Sequence, residues 1–146
     1  MKKKLLKKNS INCNLIKILE HKADLRIMAF GKTKEELFNN IMNGMFKGAR
    51  YETEEREIKR KIEISSFDLP SLLVDFLNKI LYLTETKKEV YQKINFKKFS
   101  DNEIKGILIG KKLKRIGVQI KAVTYCDLEI GQKENKIWEA KILFDI

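Results

Sequence analysis

Residues 68–83 constrain the fold more than any other stretch. Asp68 is a good helix cap, and Pro70 is tolerated in a first turn, where no backbone N–H bond is lost. Leu72, Leu73, Phe76, Leu77, Ile80, Leu81 and Leu83 then recur at helical spacing, which makes this the most apolar helix of the chain. A helix so apolar must be covered, so it is expected at the centre of the fold. Asp75 and Asn78 lie on its flank and read as a solvated edge.

A second helix is signalled upstream. Thr33 and Glu36 fit a capping box, in which the hydroxyl and the carboxylate each satisfy a backbone N–H. Leu37, Phe38, Ile41, Met42 and Met45 supply its apolar stripe, and Gly48 is placed to end it. Before it come two short apolar runs, Leu15 to Leu19 and Leu25 to Phe30, joined through Glu20-His21-Lys22-Ala23-Asp24. In the second run both faces carry apolar residues, Leu25, Ile27 and Ala29 against Met28 and Phe30, as in a strand covered on both sides. Asp24 stands at the corner between the two.

The remainder has β character. Arg56 to Ser65 carries Ile58, Ile62 and Ile64 among charged residues, a strand with one wet face. Tyr91 to Phe99, Ile104 to Ile109, Val118 to Tyr125 and Leu128 to Ile130 follow, with a hairpin turn over Gly131 to Lys136. In the last strand Trp138, Ala140, Ile142, Phe144 and Ile146 share one face, while Glu139, Lys141 and Asp145 share the other. Two amphipathic helices and an extensive sheet bury their apolar faces by stacking. The expected architecture is an α+β two-layer sandwich, a mixed β-sheet covered by two amphipathic helices.

At 146 residues, with no internal repeat and no Pro/Gly/Ser linker, the chain reads as one domain over residues 13–146 behind a basic, flexible tail over residues 1–12. No apolar run is long enough to span a bilayer, and the Lys-rich start has only Leu5 and Leu6 where a signal peptide needs a longer apolar stretch. A cytoplasmic location is expected. Cys13 and Cys126 are far apart with no C-x-x-C partner, so both are expected to be reduced. The formal charge is +11, from 31 Lys and Arg against 20 Asp and Glu. That excess fits contact with a polyanion such as nucleic acid, and equally a lysine-rich coding bias.

No phosphate-binding glycine loop, nucleophile elbow or H-E-x-x-H is present. A single histidine, His21, removes most nucleophilic triad schemes. If the fold joined Asp24 to Asp145 and the last residue, Ile146, several carboxyl groups would meet. Such a cluster binds a hard cation or repels itself. Lys121, within Lys121-Ala122-Val123-Thr124-Tyr125, could hold an anion or snorkel to water.

Several pieces in order resemble the archease family: Glu20-His21-Lys22-Ala23-Asp24, Gly31-Lys32-Thr33 with Glu35-Glu36-Leu37-Phe38, Leu72 to Asn78 with Leu81-Tyr82-Leu83, Lys121 to Tyr125, and Asp145-Ile146. The resemblance implies a non-catalytic accessory protein for an RtcB-type RNA ligase. Such a protein promotes ligase guanylylation and multiple turnover in tRNA splicing or RNA repair. It further implies a divalent cation, calcium first and magnesium or manganese next, held by Asp24, Asp145 and Ile146. His21 and Lys121 become contacts for the ligase or its nucleotide. The chain departs from the family in being strongly basic, in placing Lys22 and Arg26 beside the proposed cation, and in having Cys126 where a histidine is common. Two other readings stand beside this one: a basic module that delivers RNA, and a metal-dependent hydrolase built on the carboxylates.

Overall fold

A computed structural model of the chain describes residues 4–7 and 24–146. Its elements run β1 (Lys4–Lys7), β2 (Asp24–Gly31), α1 (Lys34–Gly48), β3 (Glu52–Ser65), α2 (Leu69–Lys87), β4 (Glu89–Phe99), β5 (Glu103–Arg115), β6 (Ala122–Gln132) and β7 (Trp138–Asp145). The α+β class is as expected.

Both helices start as their sequences direct. The Thr33 hydroxyl accepts the Glu36 N–H at 3.1 Å, and the Glu36 carboxylate reaches back to the Lys32 N–H at 3.2 Å. Asp68 accepts the Ser71 N–H at 2.9 Å, with Pro70 in the first turn of α2. The apolar stripes are fully buried: Leu37, Phe38, Ile41, Met42 and Met45 on α1, and Leu72, Leu73, Phe76, Leu77 and Ile80 on α2. Each helix touches both sheets. α1 lies on β2 and β7 on one side and β4 on the other; α2 lies on β6, β3 and β4.

The strands form two sheets, β1-β6-β7-β2 and β3-β5-β4. Every pair among the described residues is antiparallel, whereas a mixed sheet was expected. The reason lies in the order of the second sheet. A helical crossover through α2 sets β4 running the same way as β3, but the hairpin strand β5 folds back into the gap between them. Both of its neighbours are then antiparallel to it.

Three further expectations change. Lys4–Lys7, placed in the flexible tail, pairs with Glu129 to Gln132 of β6, whose backbone edge it satisfies. β2 is not covered on both sides: Met28 and Phe30 are exposed while Ala29 is buried, and among the described residues β2 is an edge strand. The Lys133 ammonium lies 4.7 Å from the Phe30 ring centroid and shields that ring. Cys126 is disulfide-bonded rather than reduced; the other cysteine of the sequence, Cys13, lies outside the described residues, as does the expected strand Leu15 to Leu19.

Between the sheets, one buried polar group is fully neutralised. Glu89 is 2% exposed at the start of β4 and takes a two-pronged contact from Arg60 of β3, at 3.1 and 2.7 Å, across the intervening strand. The buried Tyr91 hydroxyl donates to the same carboxylate at 2.6 Å. Burial pushes the Glu89 carboxyl up, but the hydrogen bonds from Arg60 and Tyr91 outweigh it and hold the group below its ordinary 4.5. Burial, reinforced by the neighbouring carboxylate, drives the Tyr91 phenol well above its normal range.

A carboxylate whose folded pKa is depressed contributes stability that is present above its unfolded pKa and is lost as pH falls through the folded value. The Arg60–Glu89 contribution is therefore intact at neutral pH, begins to fall below about pH 4.5, and is lost as the pH drops through the depressed folded value. Glu89→Ala should cost about 3 kcal/mol in urea unfolding at pH 7, because Arg60 and Tyr91 are left facing an empty carboxylate site. The gap between wild type and variant should narrow as the titration is repeated at successively lower pH below about 4.5.

Candidate functional site

The ladder between β2 and β7 brings the two ends of the chain's described body together. It runs from Gly31 opposite Trp138 to Asp24 opposite Asp145. Side chains directly opposite in an antiparallel pair have Cβ atoms about 5 Å apart, so these two carboxylates face one another. Asp145 is held from its other side as well: it pairs with Ala122 of β6, and its carbonyl accepts the Lys121 N–H at 2.8 Å. Three strand ends thus converge on Asp145. The Ile146 side chain packs against the core and anchors the end of β7.

Alternation places the site on the outer face of the sheet. Leu25, Ile27 and Ala29 of β2 and Ile142 and Phe144 of β7 face the core, so Asp24, Arg26 and Asp145 face outward. Arg26 is 63% exposed and bridges two carboxylates. Its Nε lies 3.6 Å from Asp24 and a terminal nitrogen lies 3.7 Å from Asp127. Asp127 has a left-handed backbone, φ +52°, within the irregular stretch of β6 where pairing with β7 slips between Thr124 and Glu129. That irregularity is what turns Asp127 toward Arg26. Among the described residues no three Asp, Glu, His or Cys side chains group to hold a metal. The facing pair supplies two side-chain donors, and any further donors must be main-chain oxygens or water.

Lys121 does not join this group. Its backbone supports Asp145, and the residue lines a cavity of about 290 Å³ with Tyr51, Asn78, Lys88 and Gln119. The expected strand from Val118 begins only at Ala122, because the preceding backbone bonds elsewhere. Gly117 and Val118 donate to Arg50 and Ala49 at 3.0 and 2.8 Å, and Ile120 donates to the Tyr51 hydroxyl at 3.1 Å. Burial raises the Tyr51 phenol, and Glu85 adds to that. His21 lies outside the described residues.

Two residues that fix strand positions carried weak signals, one of them at the site. Asn78, read as a solvated edge, accepts the Val123 N–H at 2.9 Å. β1 pairs with β6 only over Glu129 to Gln132, so among the described residues Val123 has no strand on that side. Asn78 of the central helix takes the open donor and fixes where β6 starts. Asn39 of α1 does the same for Ile94 of the edge strand β4, at 2.9 Å. The one hint available was an amide side chain beside core positions of an apolar helix.

Likeness to known proteins decides the family. The model of the Archease protein family matches residues 17–146. The chain belongs to the archease family. It is 37% identical to the protein archease of Methanosarcina mazei over 138 residues, covering 88% of this chain and 93% of that one. With the protein archease of Thermoplasma acidophilum it shares 30% identity over 134 residues, covering 88% and 92%. The crystal structure of a Thermotoga maritima archease, described as a possible chaperone, superposes with a TM-score of 0.64 at 22% identity, covering 87% of this chain and 94% of that one. The solution structure of protein 1598 from Methanobacterium thermoautotrophicum gives 0.59 at 21% identity, covering 99% and 98%. These two structures share the fold of this archease. No helix among the described residues is long and apolar enough to cross a membrane.

Asn78→Leu keeps the helix but leaves the Val123 N–H without its acceptor. The expected cost is about 1–3 kcal/mol in chemical unfolding, with faster amide exchange at Val123 than at the flanking core strand positions.

Proposed function

We propose that this archease is an accessory factor of an RtcB-type RNA ligase, promoting the ligase's guanylylation and repeated turnover without catalysing a reaction itself. The observation that carries the reading is the register that sets Asp24 against Asp145, in a chain of this family. In this reading Asp24, Asp145 and a main-chain oxygen of Ile146 hold a divalent cation, calcium first, with magnesium or manganese as the other candidates.

The residues fit such an ion. Two facing carboxylates at the partly exposed end of a sheet form an oxygen donor set suited to a hard cation. A bound cation would supply positive charge where two like charges otherwise face each other. The chain's own residues do the rest: β6 and β7 fix the backbone of Asp145, and Arg26 holds Asp24 and Asp127 on the same outer face. Arg26 also competes with a cation for Asp24. The ligase, and its nucleotide through Lys121 and His21, complete the proposed set of partners. The protein acts in the cytoplasm in this reading.

The test is ligation of a cleaved RNA by the cognate ligase over many turnovers, with guanylylation followed by incorporation of labelled GMP. Wild type should accelerate both, and Asp24→Asn and Asp145→Asn should each lose most of the stimulation while unfolding at the wild-type denaturant midpoint. Equal stimulation by wild type and both variants would sink the reading. Arg26→Gln should tighten calcium binding several-fold in calorimetry, since it removes a competing charge from Asp24.

A further inference from the structure

The outer face of the β3-β5-β4 sheet carries lysines without facing carboxylates at its centre. Register places Lys59, Ile109 and Lys93 on one row across the three strands, and Lys61, Ile107 and Asn95 on the next. No carboxylate stands on these two rows. The rows beyond them are compensated: Glu57 is opposite Lys111, and Glu63 is opposite Lys105. At that second end Lys98 is also bound to Glu103 at 2.7 Å. Lys59, Lys61 and Lys93 are all exposed, and Ile107 and Ile109 between them are half-buried. Strand geometry spaces successive outward residues about 6.8 Å along a strand and about 4.8 Å across. The result is a fixed array of ammonium groups over an apolar floor, with its uncompensated charge at the centre.

We propose that this face docks the phosphate backbone of double-stranded RNA. Naming RNA as the polyanion rests on the ligase reading; the position and charge of the surface do not. Three features select the mode. The central rows carry lysine and no arginine, so they recognise charge rather than base edges. No aromatic side chain lies on the outward rows: Tyr91, Phe96 and Phe99 of β4 turn to the opposite face, where Phe99 stacks edge-on against Phe38 and Phe96. Without aromatic platforms, unpaired bases gain no stacking there, and a strand with its phosphates already arrayed is favoured. The apolar floor, Ile107 and Ile109, is too small and too recessed to insert into a bilayer.

The experiment uses the full chain without ligase. Binding of a fluorescent RNA hairpin is followed by anisotropy across a salt series, with an unstructured single strand of equal length beside it. The triple variant Lys59→Glu, Lys61→Glu, Lys93→Glu is compared with a control carrying the same charge change on other exposed lysines, Lys32→Glu, Lys47→Glu, Lys79→Glu. The sheet variant should lose at least tenfold in hairpin affinity, and its salt slope should fall by about 0.9 for each phosphate it no longer neutralises. The control should stay within a few-fold of wild type, and the hairpin should bind tighter than the single strand. Equal losses in the two variants would overturn the proposal, since overall charge would then be the cause. So would tighter binding to the single strand, or no hairpin binding by wild type at low salt. Lys→Gln versions of the three sheet substitutions, which add no new repulsion, should show a smaller loss in the same order; an unchanged affinity in them also overturns it. Because no ligase is present, failure here leaves the ligase reading intact, and failure of ligase stimulation leaves this surface intact.

Discussion

The register of β2 against β7 is the constraint on which the site depends. A strand's side chains alternate, so a slip of one residue would carry Asp24 to the core face and Leu25 to solvent. What prevents the slip is packing. Leu25, Ile27 and Ala29 must lie under α1, and α1 meets them with glycines. A Cβ at Gly44 or Gly48 would come within 3.2 and 3.1 Å of the Ile27 side chain, so the helix sits close on β2 and a larger residue there would press on Ile27. Gly31 fixes the far end: a Cβ there would stand 2.4 Å from the Leu37 backbone nitrogen. With both ends of the strand located, Asp24 has one place to be, opposite Asp145.

The other half of the site is fixed by different means. Asp145 owes its position to β6, and β6 owes its start to Asn78 of the central helix and to the Lys121 N–H on the Asp145 carbonyl. Polar groups that would otherwise be unsatisfied at sheet edges are thus used to set where strands begin. The same device recurs at Asn39 and Ile94. The buried Arg60–Glu89–Tyr91 contact then ties β3 to β4 across β5, on the face that supports both helices.

Much of this was legible in the residues, and the failures have physical causes. Helix starts at Thr33 and Asp68 were readable because a cap is a local interaction. The outward side chain of Asp145 followed from alternation in a strand whose other face is strongly apolar. The meeting of Asp24 with Asp145 depends on pairing between residues far apart in sequence; the family resemblance suggested it, and the strand register sets the two opposite one another. Covering of β2 on both sides was misread because apolar residues on the second face, Met28 and Phe30, look alike in sequence whether that face is covered or exposed. The late start of β6 was invisible for a similar reason: its first backbone groups bond to Tyr51, Ala49, Arg50 and Asp145, all distant in the chain. Asp127 and its tie to Arg26 arise from a bulge, and Cys126-Asp127 interrupting two short apolar runs was the only trace of it.

The central claim is that the β2–β7 register builds a cation site from Asp24 and Asp145. The most direct measurement is anomalous diffraction from crystals of this archease grown with manganese as a calcium stand-in. The account predicts an anomalous peak between the two carboxylates, with oxygens of both within metal-coordinating distance and the Arg26 guanidinium turned away from Asp24. A manganese ion bound elsewhere, with Asp24 and Asp145 facing each other and no peak between them, would contradict it.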